Sequence, residues 1–168
     1  MILVTGATGN AGGAVVRALV AAGEPVRALT RRPGESELPA GVDLVSGDLN
    51  QPSSLAPALA GVSAAFLLSG YEAMDEFLRA LRDAGVERVT LLSSSAAPSR
   101  DMQNAVARYH IVSEQAVRES GVAWTFLQPN SFMTNTLQWA PQLREGDVVR
   151  APFEGVPVAT IGAAVAPA

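Results

Sequence analysis

The fold is decided by the first twelve residues, Met1-Ile2-Leu3-Val4-Thr5-Gly6-Ala7-Thr8-Gly9-Asn10-Ala11-Gly12. This stretch begins as a short apolar run, and its length and β-branched residues favour a buried strand. Apolar residues then recur at helical spacing on one face, at Val15, Val16, Leu19 and Val20. Three glycines spaced three residues apart therefore connect a predicted strand to a predicted helix, which is the arrangement of a phosphate-binding turn.

Each glycine of this turn has a physical task. One makes the tight turn, another admits a pyrophosphate, and the last lets the helix pack closely on the strand. The helix N-terminus offers free N–H groups and a partial positive charge to the phosphates. The turn thus predicts an NAD(P)-type cofactor, against the alternative of a glycine-rich turn without a ligand. The predicted contacts are Gly6, Ala7, Thr8, Gly9, Asn10, Ala11 and Gly12.

The remaining pattern predicts an α/β fold. Further apolar runs predict strands at residues 25–29, 42–45, 62–68, 86–92 and 122–127. Helical patterns lie between most of them, the longest over residues 102–120. Alternation of near-continuous apolar strands with helices is typical of a parallel sheet covered on both faces, here a Rossmann-type doubly wound sheet. We expect one domain over residues 1–161 and an irregular tail over 162–168.

Composition narrows the function. The chain has 12 basic and 16 acidic residues, no cysteine and one histidine, and all its basic residues are arginine. An acidic domain without a basic cluster is not expected to bind nucleic acid. A lone histidine without other clustered ligands predicts no metal site. No apolar run is long enough for a membrane span, and the lack of cysteine and of a signal peptide pattern favours a cytoplasmic location.

Charged residues after the second and third strands suggest which cofactor is bound. NAD-binding domains usually carry an acid about 20 residues past the glycines, whereas this chain has Arg31 and Arg32. Guanidinium groups suit a 2′-phosphate, so NADP is favoured over NAD, unless both arginines are only solvated loop charges. Asp48 is either an acceptor for the adenine amino group or an ordinary turn residue.

Several stretches resemble one family. TGATGNAG at residues 5–12 is similar to the atypical short-chain dehydrogenase/reductases. Other segments resemble their NmrA-like branch, namely RALTR at 27–31, GDL at 47–49, SEQ at 113–115 and SGVAWTFLQPNSFM at 120–133. That branch includes NAD(P)H:quinone oxidoreductases and also NADP-sensing regulators that perform no chemistry. The resemblance implies cofactor contacts at residues 6–11, at Arg31, and at Leu68, Ser69, Gly70, Asn130, Ser131, Phe132, Met133, Thr134 and Asn135.

The sequence departs from this family in two respects. Gln128 stands where members often have arginine. Members also continue through a final strand and a C-terminal lobe that closes over the substrate, so we expect this chain to be C-terminally truncated relative to them. Without such a lobe, Phe132, Met133 and Leu137 are expected to be exposed together with Trp139, which favours a homo-oligomer.

The candidate catalytic residues lie on the helix after the fifth predicted strand. Ordinary short-chain dehydrogenases carry Tyr-x-x-x-Lys there, whereas this chain has Tyr109 and Ser113. Tyr109 is expected to donate a proton weakly, to orient a substrate, or only to pack. His110 titrates near neutrality and Glu114, four residues later, could orient it. The alternative is a surface histidine without a catalytic role.

Two functions follow from these expectations. The first is an oxidoreductase that transfers hydride from NADPH to a small quinone-like acceptor, which needs little acid–base machinery because the cofactor carries the chemistry. The second is an NADP-sensing protein that regulates a protein partner without catalysis. A fragment that keeps only the cofactor fold is a third reading.

Overall fold

A computed structural model describes residues 1–33 and 38–150 of the chain. In these residues, six parallel strands form one sheet in the order β3-β2-β1-β4-β5-β6. The strands are β1 (Ile2–Val4), β2 (Val26–Thr30), β3 (Asp43–Ser46), β4 (Ala64–Leu68), β5 (Arg88–Leu92) and β6 (Ala123–Leu127). The order confirms the prediction of a Rossmann-type doubly wound sheet.

Helices connect most of these strands. The described α-helices are α1 (Asn10–Ala21), α2 (Ala56–Leu59), α3 (Met74–Asp83), α4 (Ala105–Glu119) and α5 (Ala140–Glu145). Helix α4 begins three residues later than the sequence pattern predicted. The reason is a cap, because the side chain of Asn104 accepts hydrogen bonds from the N–H groups of Val106 and Ala107.

The core has one part on each face of the sheet, because side chains alternate along the strands. Leu3 of β1 packs into a large cluster with buried residues of α3, including Phe77. Val4, the next residue, packs on the other face with Val16 of α1 and Phe66 of β4. Burying a large apolar side chain stabilises the fold by roughly 1.5–3 kcal/mol, so these alternating contacts fix which face each helix covers.

Arg27 joins β2 to two neighbouring elements. Its Nε donates to Oδ2 of Asp43 on β3 at 2.7 Å. Its Nη1 donates to the carbonyl oxygens of Ala58 at 3.0 Å and Ala60 at 2.6 Å, at the C-terminal end of α2. A cation at this end satisfies carbonyl groups that have no partner within the helix.

The predicted C-terminal features are only partly described. Leu137 is 69% exposed and Met133 42%, as expected. Phe132 is instead partly buried, because it packs against the cluster around Val4, and Trp139 is also partly buried. Association into a homo-oligomer stays a prediction. The end of the predicted domain and the tail at 162–168 lie outside the described residues.

Two further findings concern the described residues. No helix there is both long and apolar enough to cross a membrane. Over residues 1–33 and 38–150, no group of three or more His, Cys, Asp or Glu side chains is placed to hold a metal ion.

Candidate functional site

The glycine turn lies between β1 and α1. Gly6 has a φ of 60°, in the left-handed region that glycine adopts without a steric penalty. The N–H of Gly9 donates to the carbonyl oxygen of Gly6 at 2.9 Å and closes the turn. A Cβ on Gly12 would overlap the carbonyl oxygen of Gly6 and lie 2.8 Å from that of Thr5. The lack of a side chain at Gly12 therefore allows α1 to approach the turn closely.

The first turn of α1 carries backbone N–H groups that have no partner within the helix. Gly9 caps the helix with extended backbone and no side-chain capping bond. The N–H groups of Asn10 and Ala11 lie in the first turn, ahead of the first intrahelical donor, so they have no acceptor within the helix. Thr8, Gly9 and Asn10 are exposed. This arrangement can donate several hydrogen bonds to an anion, as the sequence predicted.

A cleft of about 330 Å³ opens beside this turn, at the carboxyl ends of β2 and β3. Its lining comprises Gly6, Thr8, Leu29, Thr30, Arg31, Arg32, Gly47, Asp48, Leu49, Asn50 and Tyr71. The fold thus brings the glycine turn, two arginines and one carboxylate around a single cavity. In an open parallel sheet this is the edge at which ligands bind, next to the point where the strand order reverses.

Asp48 combines two features that the sequence offered as alternatives. It lines the cleft. Its Oδ1 also accepts a hydrogen bond from the N–H of Asn50 at 3.0 Å, as in an ordinary Asx turn. The turn fixes the carboxylate at the rim of the cleft, where an oxygen of the carboxylate can still accept from a ligand.

Leu68, Ser69 and Gly70 lie at the end of β4 but do not line the cleft. A Cβ on Gly6 would overlap Cδ1 of Leu68, so Leu68 packs directly over the turn. Ser69 donates from Oγ to the carbonyl oxygen of Leu92 at 2.9 Å, and the N–H of Gly70 donates to Oγ of Ser113 at 3.0 Å. Their role as cofactor contacts stays a prediction.

The predicted contacts at 130–135 follow β6 at the same edge of the sheet. Oγ of Ser95 donates to Oδ1 of Asn130 at 3.0 Å, which joins the segments that follow β5 and β6. Nδ2 of Asn135 donates to Oγ of Ser131 at 3.2 Å. Met133 and Thr134 are exposed in a 3₁₀ helix. These six residues do not line the cleft, and their contact with a cofactor stays a prediction.

Tyr109 lies on α4 next to the end of β4. A Cβ on Gly70 would lie 3.3 Å from the Tyr109 ring, so that glycine allows the ring to lie close to the backbone. Tyr109 is 43% exposed. Oγ of Ser113 donates to the Tyr109 carbonyl oxygen at 2.8 Å, as expected for residues on one helical face. The phenol ring therefore borders the carboxyl edge of the sheet and remains open to a ligand.

His110 is not the surface residue that the sequence left open. Its side chain is only 8% exposed, and its ring centroid lies 4.0 Å from that of Tyr109. Within residues 1–33 and 38–150, Nδ1 is buried without a hydrogen-bond partner. Burial lowers the pKa of His110 below its ordinary value, although the charge of Glu114 partly offsets this effect. A neutral imidazole thus lies behind Tyr109.

Glu114 has other partners than the predicted one. Its buried carboxylate accepts from Oγ of Ser93 at 2.6 Å, from Nε2 of Gln128 at 2.7 Å and from Nη2 of Arg118 at 3.0 Å. Among the hydrogen bonds of the described residues, Glu114 accepts from these three donors and not from His110, and only its charge acts on His110. Ser93 is buried too, and its hydroxyl group donates its hydrogen bond to Glu114.

Two features of the site were missed from the sequence. Tyr71 lines the cleft although it lies one residue beyond the predicted segment after β4. The Glu114 network joins residues from β5, α4 and the end of β6, which no local pattern connects. Only the ion pair between Glu114 and Arg118 could have been predicted from local sequence, because the two residues are spaced i and i+4 on a predicted helix.

Comparison with known proteins identifies the family. A family described as NAD(P)H-binding matches residues 6–165, which is nearly the whole chain. The chain belongs to this NAD(P)H-binding family. The match begins at Gly6, the first glycine of the turn described above.

Other members of the NAD(P)H-binding family resemble the chain at about half to three fifths of their own length. A (4-alkanoyl-5-oxo-2,5-dihydrofuran-3-yl)methyl phosphate reductase of Streptomyces griseus is 44% identical over 96% of this chain and 58% of its own. An NAD(P)H azoreductase of Xenophilus azovorans is 39% identical over 86% and 53%. The structure of Citrobacter triphenylmethane reductase with NADP(H) matches with a TM-score of 0.71 and 32% identity, over 85% and 53%. These relatives are named as reductases, and the chain is similar to part of each.

The residues of the glycine turn and the neighbouring cleft fit an NAD(P)H cofactor. The Gly12 position has no room for a Cβ beside the turn, and Gly6 has a positive φ, so the backbone has the tight turn and close helix packing of a dinucleotide-binding fingerprint. The first turn of α1 would hold the pyrophosphate through its N–H groups. The neighbouring cleft has polar and cationic walls suited to the phosphorylated adenosine end.

Proposed function

We propose that this chain is the cofactor-binding part of an oxidoreductase that transfers hydride from NADPH to a quinone-like acceptor. The observation that carries the proposal is that Arg31 and Arg32 line the same cleft as the phosphate-binding turn. Oxidoreductase chemistry is supported by the relatives, which are named as reductases. The chain spans about half the length of these relatives, so its own activity is proposed from the residues of the cleft.

Preference for NADPH over NADH rests on the arginines. A guanidinium group can donate two parallel hydrogen bonds to a phosphate, whereas the carboxylate usual in NAD-binding domains would repel it. Arg31 is exposed at the end of β2, where it can meet a ligand from solvent. The NADP(H) bound in the triphenylmethane reductase structure supports the same choice.

The acceptor class rests on the proton chemistry that the residues allow. NADPH would supply a hydride when bound, and a quinone that accepts a hydride needs one further proton to become a hydroquinone. The chain contains no lysine, so it lacks the Tyr-Lys pair that alcohol oxidation uses. Tyr109 would orient the acceptor or give up a proton weakly. A relative from Escherichia coli is named quinone oxidoreductase 2, which supports a quinone-like acceptor.

A second candidate is an NADP-sensing protein without catalysis. This candidate is favoured because Ser93 and Glu114 are both buried and hydrogen-bonded to each other, so neither side chain is available to act on a substrate. In that case the partner is a regulated protein instead of a small-molecule acceptor. A cytoplasmic location, proposed because the chain has no cysteine, fits either candidate.

One experiment separates the two candidates. NADPH is mixed with the chain and a panel of quinones, and loss of NADPH absorbance is followed. Turnover supports the oxidoreductase, whereas tight NADPH binding without turnover of any quinone supports the sensor.

Calorimetry tests the cofactor choice. Arg31→Ala should weaken NADPH binding roughly tenfold or more and leave NADH nearly unchanged, because only NADPH loses a charge-assisted hydrogen bond. Arg88→Ala is the matched control, since Arg88 begins β5 at the opposite edge of the sheet. Equal affinity of the wild-type chain for both cofactors would contradict the preference.

A further inference from the structure

Tyr71 is the one aromatic residue in the lining of the cleft. It lies three residues after the end of β4, and it is half-buried because it packs against the large core cluster. The ring is therefore supported by the core on one side and borders the cavity on another. An aromatic wall held in this way loses little conformational freedom when a ligand arrives.

The surroundings of Tyr71 are those of the adenosine end. Arg31, proposed above as the 2′-phosphate ligand, and Asp48, the predicted adenine acceptor, line the same cleft. Burial raises the pKa of Tyr71 above its ordinary value, the charge of Arg31 and a hydrogen bond with the Thr5 side chain lower it in part, and the charge of Asp48 raises it. The phenol is thus a neutral aromatic group at neutral pH, in the same cleft lining as the groups assigned to the phosphate and to the base.

The loop that carries Tyr71 is fixed to the loop after β3. The N–H of Glu72 donates to Oδ1 of Asn50 at 3.3 Å, and the N–H of Asn50 donates to Asp48. Asp48, Asn50 and Tyr71 thus form one connected wall of the cleft. Neither the glycine turn nor the arginines supply an apolar surface of this kind for a base.

We propose that Tyr71 is a cofactor-contacting residue whose ring forms the wall against the 2′-phosphoadenosine half of NADPH. The proposal rests on the function proposed above. An aromatic face stacks on any nucleobase and contributes about 1–3 kcal/mol per base. Tyr71 therefore adds affinity for the adenosine itself, while Arg31 discriminates the 2′-phosphate.

The chain has two tyrosines, Tyr71 and Tyr109, so each can be observed separately. With carbon-13-labelled tyrosine, the two ring signals are assigned from Tyr71→Phe and Tyr109→Phe. Adding 2′,5′-ADP should shift the Tyr71 signal and leave that of Tyr109 in place. Nicotinamide mononucleotide, which lacks adenosine, should leave the Tyr71 signal unchanged. A Tyr71 signal that does not move at saturating 2′,5′-ADP overturns the proposal.

Affinities of variants give a second readout that does not depend on turnover. Tyr71→Leu keeps much of the apolar volume against the core but removes the aromatic face, so 2′,5′-ADP and 5′-AMP should both bind roughly tenfold more weakly. Tyr71→Phe keeps the ring and should bind within about threefold of wild type. Arg31→Ala should weaken 2′,5′-ADP only.

The outcomes separate this proposal from the proposed function. Wild-type affinity of a folded Tyr71→Leu variant for 5′-AMP overturns the role of Tyr71 and leaves the oxidoreductase proposal intact. If Tyr71→Leu does not fold, the shift of the Tyr71 signal decides alone. Tight NADPH binding without quinone turnover removes the catalytic proposal and leaves Tyr71 in place. A wild-type chain that binds no adenosine nucleotide contradicts both, before any variant is made.

Discussion

Replacing Gly12 by alanine tests whether close packing of α1 on the glycine turn is needed for the site. A Cβ at this position would lie 2.5 Å from the carbonyl carbon of Gly6 and 2.8 Å from the Thr5 carbonyl oxygen, whereas ordinary contacts are at least 3.4 Å. The opposing atoms are backbone and cannot rotate away. The helix must therefore move from the turn by on the order of 1 Å, an overpacking that typically costs about 1–3 kcal/mol.

The neighbouring glycine gives a matched control. A Cβ on Gly13 would meet the carbonyl oxygen of Ala7 at 3.2 Å, a tight contact that small shifts relieve. Both substitutions gain about 1 kcal/mol of helix propensity, so their difference isolates the overlap. We expect Gly12→Ala to be less stable than Gly13→Ala by about 1–3 kcal/mol, or roughly 2–12 °C in Tm for a chain of this size.

Urea unfolding and NADPH calorimetry measure both consequences. Gly12→Ala should also bind NADPH at least tenfold more weakly than Gly13→Ala, because displacement of α1 moves the N–H groups away from the phosphates. The packing argument is refuted if the two variants have the same stability and affinity. If Gly12→Ala is destabilised but binds NADPH like Gly13→Ala, the turn has a structural role and the assignment of the pyrophosphate to it is wrong.

Three further predictions concern stability. Arg27→Ala should lower the free energy of unfolding by about 2–3 kcal/mol, because a carboxylate and two helix-end carbonyls lose their donor, while the exposed Arg88→Ala should change it by less than about 0.5 kcal/mol. Glu114→Ala should cost about 3 kcal/mol or more, since three donors around a buried site lose their acceptor, and Glu114→Gln should cost less because one oxygen remains. Burial lowers the pKa of folded His110 below its unfolded value near 6.5, so the wild-type chain should lose stability as the pH falls below about 6.5, and His110→Gln should lose less.

Denaturant unfolding can contradict each of these predictions. Equal effects of Arg27→Ala and Arg88→Ala would show that the contacts of Arg27 contribute nothing beyond a surface ion pair. A Glu114→Ala variant as stable as Glu114→Gln would mean that the network does not bury an essential acceptor. Parallel stability curves for wild type and His110→Gln between pH 7 and pH 5 would contradict a lowered pKa of His110.

Some of the site followed from local sequence, because the chain itself brings the groups together. The glycine turn needs only a strand, three glycines and a helix in succession, and all lie within residues 1–21. Arg31 was readable for the same reason, since a parallel sheet places the end of every strand at one edge. The parallel sheet covered by helices followed from the alternation of strands and helices, although α4 began later because the Asn104 cap decided its start.

The sequence by itself therefore determined the fold class, the glycine turn between β1 and α1 and the cationic residues of the cleft, since each depends on periodicity or on neighbours along the chain. Tertiary structure alone decided which groups meet across the sheet. Glu114 was expected to orient His110, four residues away, but in the folded chain its carboxylate accepts hydrogen bonds from Ser93 and Gln128. His110 became a buried, neutral side chain, and Tyr71 became a wall of the cleft, because burial and contact between distant strands depend on how helices pack on the sheet and leave no trace in local spacing.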